Sequence, residues 1–126
     1  MSKSKAIRER IIGLADFGVV WFYKSKFVWE FDCDERLVRD VISKLGKEDI
    51  KYFYMPVGKD GKYKKALLSS EQEINAFART LLSTMATIYF NKYKPIKDLI
   101  TDRKLERIMQ QLDLALEDYE RTEQDG

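Results

Sequence analysis

The fold turns on Val19-Val20-Trp21-Phe22-Tyr23-Lys24-Ser25-Lys26-Phe27-Val28-Trp29-Glu30-Phe31-Asp32. Val19, Trp21, Tyr23, Phe27, Trp29 and Phe31 fall on odd positions, and Lys24, Lys26, Glu30 and Asp32 on even ones. Successive side chains of a strand point to opposite faces, so this alternation predicts β structure. One long strand satisfies it, and so does a hairpin with Lys24-Ser25-Lys26 as its loop. Both keep the odd set together on one face, which reads as the inner face packed against helices and leaves Phe22, Lys24, Lys26 and Val28 on the opposite face.

On the N-terminal side, Ile7, Ile11 and Leu14, with Ile12 and Ala15 beside them, make one apolar stripe and predict a helix from Lys5 to about Phe17. On the C-terminal side, Asp32 as N-cap and Glu35 at the third helical position read as a capping box. The helix it opens buries Leu37, Val38, Val41, Ile42 and Leu45 and stops at Gly46. Ile50–Val57 and Lys62–Leu68 read as strands joined by a Gly58-Lys59-Asp60-Gly61 turn, with Pro56 marking the first as an edge. Ser70 and Glu73 form a second capping box. Its helix runs to about Lys92 on a stripe of Ile74, Phe77, Ala78, Leu81, Leu82, Met85 and Ile88. Pro95 breaks the chain, and a last helix covers 102–120. The order α-β-α-β-β-α-α predicts an α+β fold in one domain over 1–126: a small antiparallel sheet packed with helices, ending in a long C-terminal helix.

Composition narrows the chemistry. The 126 residues include 23 Lys and Arg, 21 Asp and Glu, no His and one Cys. Without His there is no Ser-His-Asp or Cys-His nucleophile, and one Cys cannot build a zinc or iron–sulfur site. A carboxylate site for a hard cation at Glu30, Asp32, Asp34 and Glu35 competes with helix capping by the same residues, and capping is the stronger reading. The Val57–Lys62 turn lacks the spacing of a phosphate loop. Cys33 reads as a small apolar residue beneath a helix start. The expectation is therefore a protein without catalytic residues, metal or cofactor. Met1–Arg10 has no apolar signal segment and no run approaches the length of a bilayer span, so a cytoplasmic protein without a membrane partner is expected. Only six Asn and Gln occur among dense charge, a composition like that of heat-adapted proteins.

The formal net charge of +2 divides unevenly: residues 1–65 hold 15 basic and 10 acidic side chains, and residues 66–126 hold 8 and 11. Lysines interleave with aromatic residues on all the expected strands. Proteins that hold single-stranded nucleic acid combine a positive groove for phosphates with aromatic faces for bases. Lys24, Lys26, Lys51, Lys62, Lys64 and Lys65 are thus candidates for phosphate contact, and Trp21, Phe22, Trp29, Tyr52, Phe53 and Tyr54 for stacking or lining the groove. The expected function is binding of single-stranded DNA or RNA with low sequence preference. The alternative is a protein–protein interaction module, for instance a viral or defence-system adaptor. In the last helix Leu105, Met109, Leu112, Leu116 and Tyr119 step by four and three, with Ile108 beside them, which reads as the seam of a homodimer, the alternative being a terminal helix that lies on its own core.

The aromatic and lysine-rich strands at Val20–Trp29 and Lys51–Tyr54, together with the leucine-rich helix at Leu105–Tyr119, resemble the archaeal single-stranded DNA-binding proteins of the Thermoproteales, the ThermoDBP type. The resemblance implies a hydrophobic and basic cleft for single strands and dimerisation through the terminal helix.

Overall fold

Ile7, Ile11 and Ala15 recur every four residues and form the buried face of α1 (Lys3–Asp16), which Ser2 caps by accepting the Lys5 N–H at 3.2 Å. The computed structural model describes the backbone of residues 2–125 and the side chains of residues 2–123. The chain groups into two compact units, one up to Phe77 and one from Ala78. Each carries its own hydrophobic cluster.

The expected β structure over 19–32 is confined to β1 (Trp21–Tyr23), and Lys24–Phe31 is helix α2. Two steps of two make one step of four, so Phe27 and Phe31 satisfy helical spacing as well as strand spacing. The residue between them decides the matter: Phe27 is fully buried, whereas Trp29 is 89% exposed. Parity in β1 is also reversed, because Phe22 faces the core and Trp21 and Tyr23 face outward. Asp32, expected as an N-cap, instead ends α2 in the left-handed region at φ 47°, a conformation that short polar side chains tolerate. Asp34 caps α3 (Glu35–Glu48), accepting the Leu37 N–H at 2.9 Å, so no capping box forms with Glu35.

Helix α3 buries Val38, Val41, Ile42 and Leu45 and continues past Gly46. That glycine is not a stop. The Phe53 ring lies against its bare backbone, and a Cβ there would come within 2.7 Å of the ring. The expected strands Ile50–Val57 and Lys62–Leu68 keep only their inner parts, β2 (Tyr54–Val57) and β3 (Lys62–Lys65), with single 3₁₀ turns at Ile50–Tyr52 and Ala66–Leu68. The hairpin turn has Gly58 and Gly61 at positive φ, which explains why both are glycine. Strand order is β1-β3-β2 and both pairings are antiparallel, so β3 is central and Pro56 lies on an edge. Phe22, Tyr54 and Tyr63 project with α1, α2 and α3 into one cluster, where the Phe22 ring meets Phe27, Tyr54 and Tyr63. This is an α+β fold with a small antiparallel sheet and a long terminal helix.

The Ser70–Glu73 capping box forms as expected and opens α4 (Glu71–Ile88). A single π-helical turn (Tyr89–Tyr93) and a 3₁₀ segment with Pro95 in its first turn (Lys94–Leu99) lead to α5 (Arg103–Asp125). In the second unit Ala86, Tyr89 and Leu116 are buried together, and the Tyr89 hydroxyl donates to Asp113. Much of the expected α4 stripe is exposed: Leu82 packs half-buried against this cluster and Phe77 is half-buried, but Ile74, Leu81, Met85 and Ile88 are between 43% and 53% exposed. Among the described residues no helix is long and apolar enough to cross a membrane.

Gly13 and Gly46 predict opposite responses to alanine. Nothing lies within 4 Å of a Cβ at Gly13, in the last turn of α1, so Gly13→Ala should stabilise by about 0.5–1 kcal/mol in urea unfolding. Gly46→Ala drives a methyl group into the Phe53 ring and should destabilise by about 1–3 kcal/mol despite the same gain in helix propensity.

Candidate nucleic-acid interface

Cross-strand register decides which side chains share a face. Trp21 pairs with Lys64 and Lys64 with Met55; Tyr23 pairs with Lys62 and Lys62 with Val57. Directly opposite residues point the same way, so Trp21, Tyr23, Lys62 and Lys64 lie on one face with Met55, which is fully buried at the β2 edge, and half-buried Val57, opposite the face of Phe22, Tyr63 and Pro56. The Trp21 and Tyr23 rings meet edge to face at 5.5 Å, and the Lys62 ammonium sits 4.4 Å from the centre of the Trp21 ring. That is cation–π distance across a diagonal of the ladder. Lys24 joins the set at its end: its N–H donates to the Gly61 carbonyl, its stem packs over Gly61, and its ammonium is 3.5 Å from Glu35.

Other expected contacts have different partners. Phe22 and Tyr54 are 4% and 2% exposed and cannot stack on a base: Phe22 fills the core, and the Tyr54 hydroxyl donates to the Val19 carbonyl. Burial raises the Tyr54 phenol above its ordinary value, so it remains a donor. Lys65 donates to the Ala15 carbonyl at 3.0 Å and ties β3 to α1. Phe53 is wedged between Gly46 and Phe77. The Tyr52 hydroxyl donates to Asp16 at 3.1 Å, and Lys51 lies 5.0 Å from the Tyr52 ring, whose hydroxyl raises the lysine above its usual range. Lys26 and Trp29 are exposed on α2, outside the register set. Tyr23 was missed because it was assigned to the core with the other odd residues. The signal for it lay in Lys62-Tyr63-Lys64, where the lone aromatic must be the inward residue and its strand partner must be inward too.

The acidic group is engaged piecemeal. Glu30 bridges Arg10 at 2.8 Å, Asp34 caps α3, and the Asp32 carbonyl accepts from Lys3. Among the described residues no group of three or more Asp, Glu or Cys is arranged to hold a metal ion. Cys33 is half-buried against the core, its thiol directed at the Phe27 carbonyl.

The expected dimer seam divides in the same way. Leu116 is 2% exposed and packs within its own unit, with Met109, Leu112 and Tyr119 half-buried beside it, whereas Leu105 and Ile108 are exposed. Above Leu112 and Leu116 an apolar groove of about 430 Å³ opens between Met85, Ile88, Ile96 and Met109, with Lys92 among its lining residues. Two helices cannot close a core round such a groove.

Lys64 also holds the start of α4. Its ammonium is 2.8 Å from the Glu73 carboxylate, which accepts the Ser70 N–H as well. These bonds, the lysine's first, hold Glu73 at about 2, well below its ordinary 4.5. Because the folded value is the lower one, the stability it gives is whole above about pH 4.5 and is lost as pH falls towards 2. In thermal melts from pH 7 to 2, Glu73→Gln should lower Tm at neutral pH and flatten the acid limb; an unchanged limb would place the acid sensitivity elsewhere.

No protein-family model, curated protein or solved structure matches the chain, so the reading of this face rests on its own chemistry.

Proposed function

We propose that this protein binds single-stranded DNA or RNA, with little sequence preference, on the outward face of its sheet, and that it does so as a homodimer. The carrying observation is the union of Trp21, Tyr23, Lys62 and Lys64 on one face, with Lys62 resting on the Trp21 ring. Every base has a π-face, so stacking on Trp21 or Tyr23 is tolerant of sequence and is worth about 1–3 kcal/mol per base. A base arriving on Trp21 displaces the Lys62 ammonium, which then meets the neighbouring phosphate. The lysine thus covers an exposed indole in the free protein and neutralises backbone charge in the complex. Two aromatic rings make a modest site, and a dimer carries two such sites.

The dimer is argued from the second unit. Leu81, Met85, Ile88, Ile96, Leu105 and Ile108 are all exposed there, a concentration of large apolar side chains that marks an interaction surface. Charge along α5 selects a second copy as the partner: Arg103, Lys104 and Arg107 outnumber Glu106 near its start, and Glu117, Asp118, Glu120 and Glu123 outnumber Arg121 near its end. Two such helices packed antiparallel about a two-fold axis set basic against acidic ends twice over.

Trp fluorescence titration with single-stranded DNA, RNA and duplex at two salt concentrations tests the binding. Contact with about four phosphates gives a log–log salt slope near −3 for single strands. Trp21→Ala should weaken binding by roughly 5- to 150-fold, and Lys62→Gln should reduce the slope by about 0.7. Retained affinity in both would show that this face is not used. For the dimer, Ile108→Asp alters an exposed position and should halve the mass seen by light scattering; a wild type that is already monomeric overturns it.

A further inference from the structure

A second recess opens on the first unit, on the side of the sheet away from Trp21 and Lys62. It has a volume of about 260 Å³ and lies between α3, the edge strand β2 and the start of α4. Phe53, Tyr63, Phe77 and Pro56 wall it, and Arg39 and Ser43 of α3 stand among its lining residues. Three features specify an occupant. The size is below the roughly 300–1,000 Å³ of sites for drug-sized molecules, which limits it to about one ring system. The walls are rings set at an angle: Phe53 and Phe77 meet at 6.2 Å and 74°, and the corner between them presents a face and an edge to a third ring. Arg39 is exposed and its side chain forms no ion pair or hydrogen bond among the described residues, and no carboxylate lines the recess.

The corner is built in. Phe53 rests on the bare backbone of Gly46, which holds its ring in place and keeps it out of the recess. The following residues run directly into β2, which supplies Pro56 as the outer wall. A hydrophobic core has no need of an aromatic corner left open to solvent beside an unpartnered guanidinium.

We infer that this recess binds a single planar aromatic ring carrying an anionic group, a nucleotide, with the base against the corner that Phe53 and Phe77 form and the phosphate on Arg39. The ring gains burial and edge-to-face contact, and the guanidinium gives the phosphate a forked, charge-assisted partner. The nucleotide has two possible sources with the same chemistry: a free nucleoside monophosphate, or one residue of a nucleic-acid strand. The site does not depend on the sheet face, since its residues lie on the opposite side of the ladder.

Saturation-transfer NMR with adenosine 5′-monophosphate at millimolar concentration tests the inference. Wild type should transfer magnetisation to the base protons. Arg39→Gln should weaken binding about tenfold, to the level of adenosine without its phosphate. Ser43→Phe fills the recess from an exposed helical position and should abolish transfer, while Trp21→Ala should leave it unchanged. No transfer to wild type, or transfer indifferent to both Arg39→Gln and Ser43→Phe, overturns the site. With binding established, addition of a single-stranded oligonucleotide assigns the source: loss of the monophosphate signal places a strand residue in the recess, and a retained signal makes it a site for free nucleotide. Loss of transfer in Trp21→Ala would instead place the monophosphate on the sheet face and overturn the recess while sparing the sheet-face reading.

Discussion

Strand β3 has two hydrogen-bonding edges, and both are taken. Because Trp21–Tyr23 and Tyr54–Val57 both pair with Lys62, Tyr63 and Lys64, the direction of each of these side chains fixes the direction of its partners on both sides. Tyr63 turns inward and takes Phe22 with it; Lys62 and Lys64 turn outward and take Trp21 and Tyr23. Half of this is core formation, since Phe22 and Tyr63 stack beside Tyr54 and are closed over by three helices. The other half sets two aromatic rings among lysines on the outward face. The core and the candidate interface are two faces of one register.

That register also shows where the sequence was legible. The α1 stripe, the Ser70–Glu73 capping box and the Gly58–Gly61 turn each follow from a local rule that tertiary packing did not override. Residues 19–32 did not yield, because an aromatic at every second position is compatible with a strand and, at every fourth, with a helix. Only burial separates Phe27 from Trp29, and burial depends on what else packs there. Gly46 failed for a related reason: a helix stop and a place of close approach use the same residue, and Phe53, the neighbour that decides between them, lies beyond the end of the helix. In the candidate interface Lys62, Lys64 and Trp21 were legible from composition, and Tyr23 was not. The parity of a three-residue strand cannot be read without its partner.

The second unit follows a different logic. An amphipathic stripe read from sequence says that a face is apolar, and it does not say what covers it. In α4 and α5 the stripe is real, but among the described residues of this unit only Ala86, Leu116 and, in the π-helical turn, Tyr89 find full cover. The near-neutral total charge likewise combines a basic segment that carries the sheet with an acidic end on α5.

The order β1-β3-β2 has a kinetic side. β2 and β3 are joined by a four-residue turn and pair locally, an event of microseconds. β1 finds its partner about forty residues along the chain, after α2 and α3 have been made, so its docking carries the main loop-closure entropy of the first unit. Phe22 therefore lacks its Tyr54 and Tyr63 partners until the hairpin has formed. A chain emerging from the ribosome holds much of its future core as exposed aromatic surface until the hairpin is complete, and that interval is when it is most open to association with other unfinished chains.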